Sequence, residues 1–208
     1  MQAAHPVLVL RHGESTANVE GRIVSVPGPR ALETVGLTGR GREQARAAAT
    51  DAAAQGLGPG TVVVTSDFAR ARQTAEEFAA GLGAGAPRVD ERLRERCFGA
   101  HDEGPATAYD GIWAVDRAHG THEDGVEQVA AVAARVLEVL HEADELARTA
   151  PVVLVAHGDV LQIALALGAG RDPHDHRDVP HLGNAELRRL GRGRSADGAA
   201  GAERAARA

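Results

Sequence analysis

Two histidines sit in matching places along this chain. His12 follows the apolar run 7–10 and His157 follows the run 152–156, in the segments VLVLRHGE and VVLVAHGD. A short apolar run of this kind reads as a buried strand of a parallel sheet. In open α/β sheets, ligands bind beyond the carboxyl ends of the strands. One histidine in such a place is most simply a loop residue. Two, each followed by a glycine that lets a ligand approach the backbone closely, point to a shared crevice if their strands are neighbours. Imidazole is a competent nucleophile toward phosphorus. Phosphoryl transfer spreads negative charge over three equatorial oxygens, so its catalysis is mainly positioning and electrostatics. Arg11 stands next to His12. Arg70 falls in the first turn of a predicted helix, where side chains lean toward the N-terminus and so toward the same sheet edge. Both guanidinium forks suit phosphate oxygens, and His157 adds a further donor. Glu95, if held protonated, can hand a proton to a leaving oxygen. Arg72 reads as a solvated surface residue.

The elements that must position these groups are legible as alternating strands and helices. Residues 38–54 are Ala-rich and read as a helix, and residues 61–65 (TVVVT) are β-branched and read as the second strand. Ser66 is a suitable N-cap for a helix over 67–80. Residues 81–87 read as a loop, whose GxG follows a helix and so is no dinucleotide fingerprint. Residues 100–123 read as a lid or substrate loop. Asp124 and Glu127 resemble a capping pair opening a long helix, with Val129, Val132, Val136 and Leu140 at helical spacing. Residues 159–167 read as the next helix and 187–190 as a last strand. The pattern predicts one domain over 1–190, a three-layer α/β/α sandwich with a mostly parallel central sheet. Residues 191–208 read as a disordered tail.

Composition removes several classes of chemistry. All 23 basic residues are arginine, so no P-loop, Schiff-base or pyridoxal-phosphate lysine exists. A single cysteine forms no intrachain disulfide and no multi-cysteine metal site. The net charge of -6 argues against a general nucleic-acid binder, although a local arginine cluster still suits an anionic substrate. With aromatics at 2%, the core must come from Val, Leu, Ile and Ala. The N-terminus lacks the basic region of a signal peptide and no stretch reaches membrane-spanning length, so a cytoplasmic protein is expected, with no membrane partner.

These residues together resemble the histidine phosphatase superfamily, in its phosphoglycerate-mutase-like branch. The resemblance rests on Arg11-His12-Gly13-Glu14-Ser15 with Asn18, on Leu37-Thr38 before Gly41-Arg42-Glu43-Gln44-Ala45, and on Ser66 with Arg70-Ala71 and Thr74-Ala75. It continues through Glu95 with Phe98-Gly99 to His157-Gly158. It implies that His12 is the phosphorylated nucleophile and that Arg11, Arg70 and His157 form the phosphate pocket. It further implies that Ser15, Asn18, Arg22 and Gly158 contact substrate and that Glu95 donates the proton. No metal and no cofactor are implied, and the partner is a small phosphorylated metabolite. The segment 104–123 is short for a mutase lid, and Ala17 and the run Ala100-His101-Asp102-Glu103-Gly104 depart from the mutase pattern. The resemblance therefore favours a phosphatase over a 2,3-bisphosphoglycerate-dependent mutase.

Other readings fit less of the chain. A cysteine phosphatase needs an arginine six positions after its cysteine, and Glu103 stands there after Cys97. A serine hydrolase built on Gly13-Glu14-Ser15-Thr16-Ala17 leaves Arg11 and Arg70 without roles. His174-Asp175-His176 is the densest candidate metal cluster and reads as a solvated loop. A non-catalytic phosphate-binding module of the same fold would have lost His12, Arg70 or His157, and all are present.

Overall fold

The computed structural model describes residues 5–191 and 193. In chain order its strands are β1 (Val7–Arg11), β2 (Val62–Thr65), β3 (Arg88–Val89), β4 (Val152–Ala156) and β5 (Leu187–Arg189). Its helices are α1 (Thr16–Glu20), α2 (Gly39–Ala54), α3 (Ala69–Leu82), α4 (Tyr109–Arg117), α5 (Val129–Leu146) and α6 (Gly158–Gly168). The strands form one sheet of order β3-β2-β4-β1-β5. All neighbours are parallel except β5, which runs antiparallel on β1.

Successive side chains of a strand point to opposite faces, and here both faces are buried. Val7, Val9, Val64, Val152 and Leu154 pack with α5 and α6 on one side. Leu8, Leu10, Val63, Val153 and Val155 pack with α2 and α3 on the other. That is why the strands read as continuous apolar runs, and it makes the three layers. Among these core residues only Phe78 is aromatic, in line with the composition.

The pairing of β1 with β4 decides the site. Arg11 lies opposite Ala156, and the amide of His12 donates to the carbonyl of Ala156 at 3.0 Å. Both His-Gly steps therefore leave the sheet at the same edge, side by side.

Several local expectations are corrected. Ser66 does not cap α3: the N-cap is Phe68 and has no side-chain cap bond. The Ser66 hydroxyl instead accepts from the Phe68 amide and meets the His157 ring. Helix α3 runs on to Leu82, so the expected 81–87 loop begins two residues late. Asp124 and Glu127 do not open α5, whose N-cap is Gln128. Glu127 accepts from Arg135 and from the Cys97 amide, bracing the acid loop. The stretch 100–123 is no structureless lid. It holds the short turns Gly99–His101 and Ala106–Ala108 and then α4. It is anchored by Ile23, Phe98, Ile112 and Val126, which form a small core of their own. Apart from residues 191 and 193, the predicted tail lies outside the described residues.

The loop leaving β1 crosses the start of α2 at very short range. A Cβ on Gly13 would stand 2.4 Å from the Gly41 carbonyl oxygen, and one on Gly41 would stand 2.1 Å from that of Glu14. Both obstacles are backbone, which cannot swing aside. Gly13→Ala and Gly41→Ala should each destabilise the protein by about 2 kcal/mol, within the usual cost of overpacking. Gly39→Ala, which meets nothing within 4 Å, should leave stability nearly unchanged. Denaturant melts of the three variants check this.

Candidate active site

Four nitrogen-bearing side chains from three parts of the sheet edge converge here. His12 follows β1, His157 follows β4, Arg11 ends β1 and Arg70 comes from the first turn of α3. His12, Arg70 and His157 are buried. The His12 and His157 rings lie edge to face with centroids 5.2 Å apart, and Phe68 meets His157 at the same separation.

The tautomer of His12 follows from its two partners. Nδ1 lies 2.8 Å from the Gly13 carbonyl oxygen, which only accepts. Nε2 receives the Nε–H of Arg70 at 3.2 Å, and arginine only donates. Both bonds require the proton on Nδ1 and a lone pair on Nε2. Burial, and then the charges of Arg70 and Arg11, hold the His12 pKa well below the ordinary value. The ring is thus a neutral imidazole with its free nitrogen aimed at the guanidinium of Arg70. Burial, Arg70 and His12 lower His157 in the same way.

The arginines keep donors in reserve. Nη1 of Arg11 donates to the carbonyl of Leu182 at 2.6 Å and to Nε2 of His181 at 2.9 Å, while its Nε has no partner among the described residues. Nη2 of Arg70 donates to the carbonyl of Val24 at 2.9 Å, while its Nη1 has none. Nδ1 of His157 is likewise buried and unpartnered. Burial pushes Arg70 down to about 10, so it remains a cation at neutral pH. Buried unpaired N–H groups are costly. The Nε–H of Arg11 and the Nη1–H of Arg70, beside Nδ1 of His157, make a ready site for an oxyanion.

Glu95 faces this cluster from the segment after the turn Glu91–Leu93. Burial and the nearby Asp159 carboxylate push its pKa up to about 7, against the pull of Arg70, the Arg96 amide and Arg11. A carboxyl poised there can give or take a proton at neutral pH.

Arg96, fully buried, sets the backbone beside Glu95. Its guanidinium bonds both oxygens of Asp116 on α4 at 2.6 and 2.9 Å, reaches Asp159 at 3.4 Å and donates to the Glu127 carbonyl at 2.7 Å. Asp159, in the first turn of α6, also receives the Trp113 indole N–H at 3.0 Å. Arg177 stacks on the Trp113 ring at 3.5 Å and lies 3.7 Å from Asp159. This network ties α4, the helix of the cap segment 99–117, to the Glu95 segment and the His157 turn. Tyr109 stacks on Trp113 and meets Phe98 edge to face. Burial and the charges of Glu95 and Asp159 raise the Tyr109 phenol above its ordinary range, which keeps it a neutral hydroxyl beside the site. Four of the five aromatic side chains thus surround this edge.

The structure brings His12, Arg11, Arg70, His157 and Glu95 together as the sequence suggested. Gly158 opens α6 beside Arg11, where a Cβ would meet Nε only at 3.9 Å. Asn18 is exposed at the rim, its carbonyl oxygen accepting from Ser15 and from Asn184. The Ser15 hydroxyl is buried in the capping box of α1, so it serves Asn18 and not the cluster directly. Arg22 is exposed and donates to the Glu103 carbonyl at 2.5 Å; its partner is the cap. The triplet His174-Asp175-His176 splits: His176 turns inward to lie 3.9 Å from Asp159 while His174 stays outside. Sequence reasoning missed Tyr109, Trp113, Asp159, Arg177, His181 and Asn184. The acidic residue after His157-Gly158 was the only visible signal among them.

The histidine phosphatase superfamily (branch 1) model matches residues 7–198. A curated relative from Serratia proteamaculans, named "Probable phosphoglycerate mutase GpmB", is 28% identical over 190 residues, covering 88% of this chain and 83% of its own. Among solved structures, mycobacterial glucosyl-3-phosphoglycerate phosphatase with VO3 superposes with a TM-score of 0.69 at 29% identity, covering 88% of this chain and 91% of its own. Mycobacterial hydrolase 1 superposes with a TM-score of 0.71 at 28% identity, covering 88% and 87%.

Breaking the buried ion network from its centre should be severe. Arg96→Met leaves Asp116 and Asp159 buried without their shared guanidinium, a loss typically worth about 3–5 kcal/mol. Equilibrium unfolding of this variant should show a deficit of that order. A change below 1 kcal/mol, in order-of-magnitude terms, would mean that the network behaves like a surface pair.

Proposed function

The chain belongs to the histidine phosphatase superfamily, and from that premise we propose that it hydrolyses small phosphomonoesters through a phosphohistidine formed on Nε2 of His12. One observation carries the reading: a buried neutral imidazole whose Nε2 lone pair faces Arg70, in a cluster where Arg11 Nε, Arg70 Nη1 and His157 Nδ1 have no partner among the described residues. Members of the superfamily act on small phosphorylated substrates, as phosphatases or as mutases.

The residues then divide the work as follows. The phosphoryl group binds with its oxygens on Arg11 Nε, Arg70 Nη1 and His157 Nδ1. The His12 Nε2 lone pair forms the P–N bond as the P–O bond to the leaving group breaks. Glu95 gives its proton to that oxygen. The positive charge left on the imidazole is eased by the Nδ1–H bond to the Gly13 carbonyl. In the second half, water attacks phosphorus, the Glu95 carboxylate takes its proton, and the P–N bond breaks to return His12. Charge stabilisation comes from the two guanidinium groups. Asn18 reaches substrate from the rim with its amide, Ser15 orients Asn18, Gly158 keeps the α6 N-terminus open, and Arg22 acts by holding the cap. Residues 1–190 act as one catalytic domain, with no added cofactor.

Water is the acceptor in this proposal. A mutase must hold a bisphosphorylated intermediate and exclude water until the group returns. The cap here is one nine-residue helix and two short turns, which supports release over retention. The mutase name carried by the Serratia relative supports the alternative. Phosphorus NMR of 3-phosphoglycerate with catalytic 2,3-bisphosphoglycerate should show phosphate released faster than 2-phosphoglycerate appears. Rapid isomerisation with negligible phosphate would overturn the phosphatase reading.

His12→Ala should abolish turnover, and mass spectrometry of the quenched wild-type reaction should find acid-labile phosphate on His12. Near-normal turnover of the variant would reject the nucleophile.

Glu95 must be protonated to act as the acid, and its pKa is pushed up to about 7. Turnover of alkyl phosphates should therefore fall as pH rises through that value. Nitrophenyl phosphate, whose leaving group needs little protonation, should depend on it far less. Glu95→Gln should remove the limb and slow alkyl esters by about 10²–10⁴-fold. Equal losses for both substrate types would leave Glu95 only a positioning role.

A further inference from the structure

The triplet that splits at His174 leaves an arrangement that the phosphoryl chemistry does not use. His119 lies just beyond α4, in a left-handed conformation with φ of 53°. Asp172 and His174 lie at the start of the turn Pro173–Asp178, more than fifty residues further along the chain. One ligand-capable atom from each of the three lies within 4.8 Å of the others. The two imidazoles stack with centroids 4.5 Å apart and planes 21° apart. Nδ1 of His174 meets Oδ1 of Asp172 at 2.9 Å, and the His174 amide donates to the same oxygen. That amide and ring, with His119 close by, hold the Asp172 carboxyl below its ordinary range. The His119 ring has no hydrogen-bond partner among the described residues.

We propose that His119, Asp172 and His174 form a binding site for a zinc-class divalent cation, which staples the end of α4 to the turn that carries Arg177. Two imidazoles and one carboxylate are the donor set of zinc and its late first-row neighbours; calcium and magnesium call for oxygen ligands throughout. Three protein ligands leave a coordination position for water. A carboxylate beside a histidine ring is also a recurring outer partner of metal-bound imidazole, so Asp172 either ligates directly or fixes the His174 ring.

The placement gives the cation a structural consequence. Helix α4 carries Tyr109 and Trp113 over the catalytic edge, and Arg177 stacks on Trp113 from the turn. The His119–His174 contact closes the same two elements at their outer end. A bound ion would convert that stack into a cross-link and hold the cap against the body. Neither imidazole belongs to the catalytic set, so this inference stands or falls apart from the phosphohistidine reading.

The test uses the full chain stripped by chelator and titrated with zinc alone, then with cobalt(II). The expected result is equimolar uptake, cobalt absorption bands of a four- or five-coordinate nitrogen and oxygen site, and a rise in Tm with zinc. Loss of an outer partner alone typically weakens metal binding about 10–100-fold, so His119→Gly and His174→Ala should each cost at least about tenfold. Glycine suits the left-handed backbone at position 119, and unchanged hydrolysis without zinc would show that both variants fold. His141→Ala, on α5, should bind like the wild type. No uptake, or uptake that both His119→Gly and His174→Ala retain, would overturn the site. Uptake without a rise in Tm would overturn the staple.

Discussion

Burying positive charge without a matching carboxylate bond is the constraint around which this molecule is arranged. Arg70 is buried beside two imidazoles, with Arg11 half-buried next to them, and among the described residues no carboxylate forms a direct ion pair with either guanidinium. Such groups usually pair or lose their proton. Here backbone carbonyls of Val24 and Leu182 take part of the donor load, and the histidines yield instead by staying neutral. The remaining donors are held open by rigid neighbours: the β1–β4 register, the first turn of α3 and the closely packed crossing at Gly13 and Gly41. The site is strained electrostatically in the direction that an oxyanion relieves, which is the form that preorganised catalysis takes.

The same positive field explains why Glu95 needs Asp159. Two arginines close to a carboxyl would hold it ionised, unable to give a proton. Burial and the Asp159 carboxylate act against them. Asp159 in turn lies against Arg96, Arg177 and the Trp113 indole. One aspartate thus links three tasks: it raises the proton affinity of Glu95, it anchors Trp113 of the cap, and it begins the helix that follows His157. A fold in which parallel strands deliver several loops to one edge makes such sharing natural, because each loop meets the others at its first turn.

The superfamily contains phosphatases and mutases. The stretch 99–117 and the turn 173–178 both reach the Asp159 network, through Trp113 and Arg177. They meet where Arg177 stacks on Trp113, and just beyond α4 His119 stacks on His174, while Phe98 and Ile112 hold the stretch in a small core of its own.

The amino-acid sequence by itself marked the main strands and helices and the residues that meet at the edge of the sheet. Apolar runs of fixed length mark β1, β2 and β4, and an alanine-rich segment and periodic valines mark α2 and α5. A residue directly after a strand, such as His12 or His157, is placed by that strand alone, because backbone geometry projects it beyond the sheet edge. Arg70 is placed by the first turn of its helix for the same reason. What lay beyond reach were contacts between segments far apart in the chain. Ser66 looked like a helix cap because its local pattern fits one, yet His157, 91 residues away, claims its hydroxyl. Burial together with Asp159 raises the proton affinity of Glu95, and His176 turns inward to lie 3.9 Å from the same aspartate. Only the tertiary structure decided these, since desolvation and charge act through space on whatever the fold brings near, and a sequence encodes that proximity only through the completed packing of all its elements.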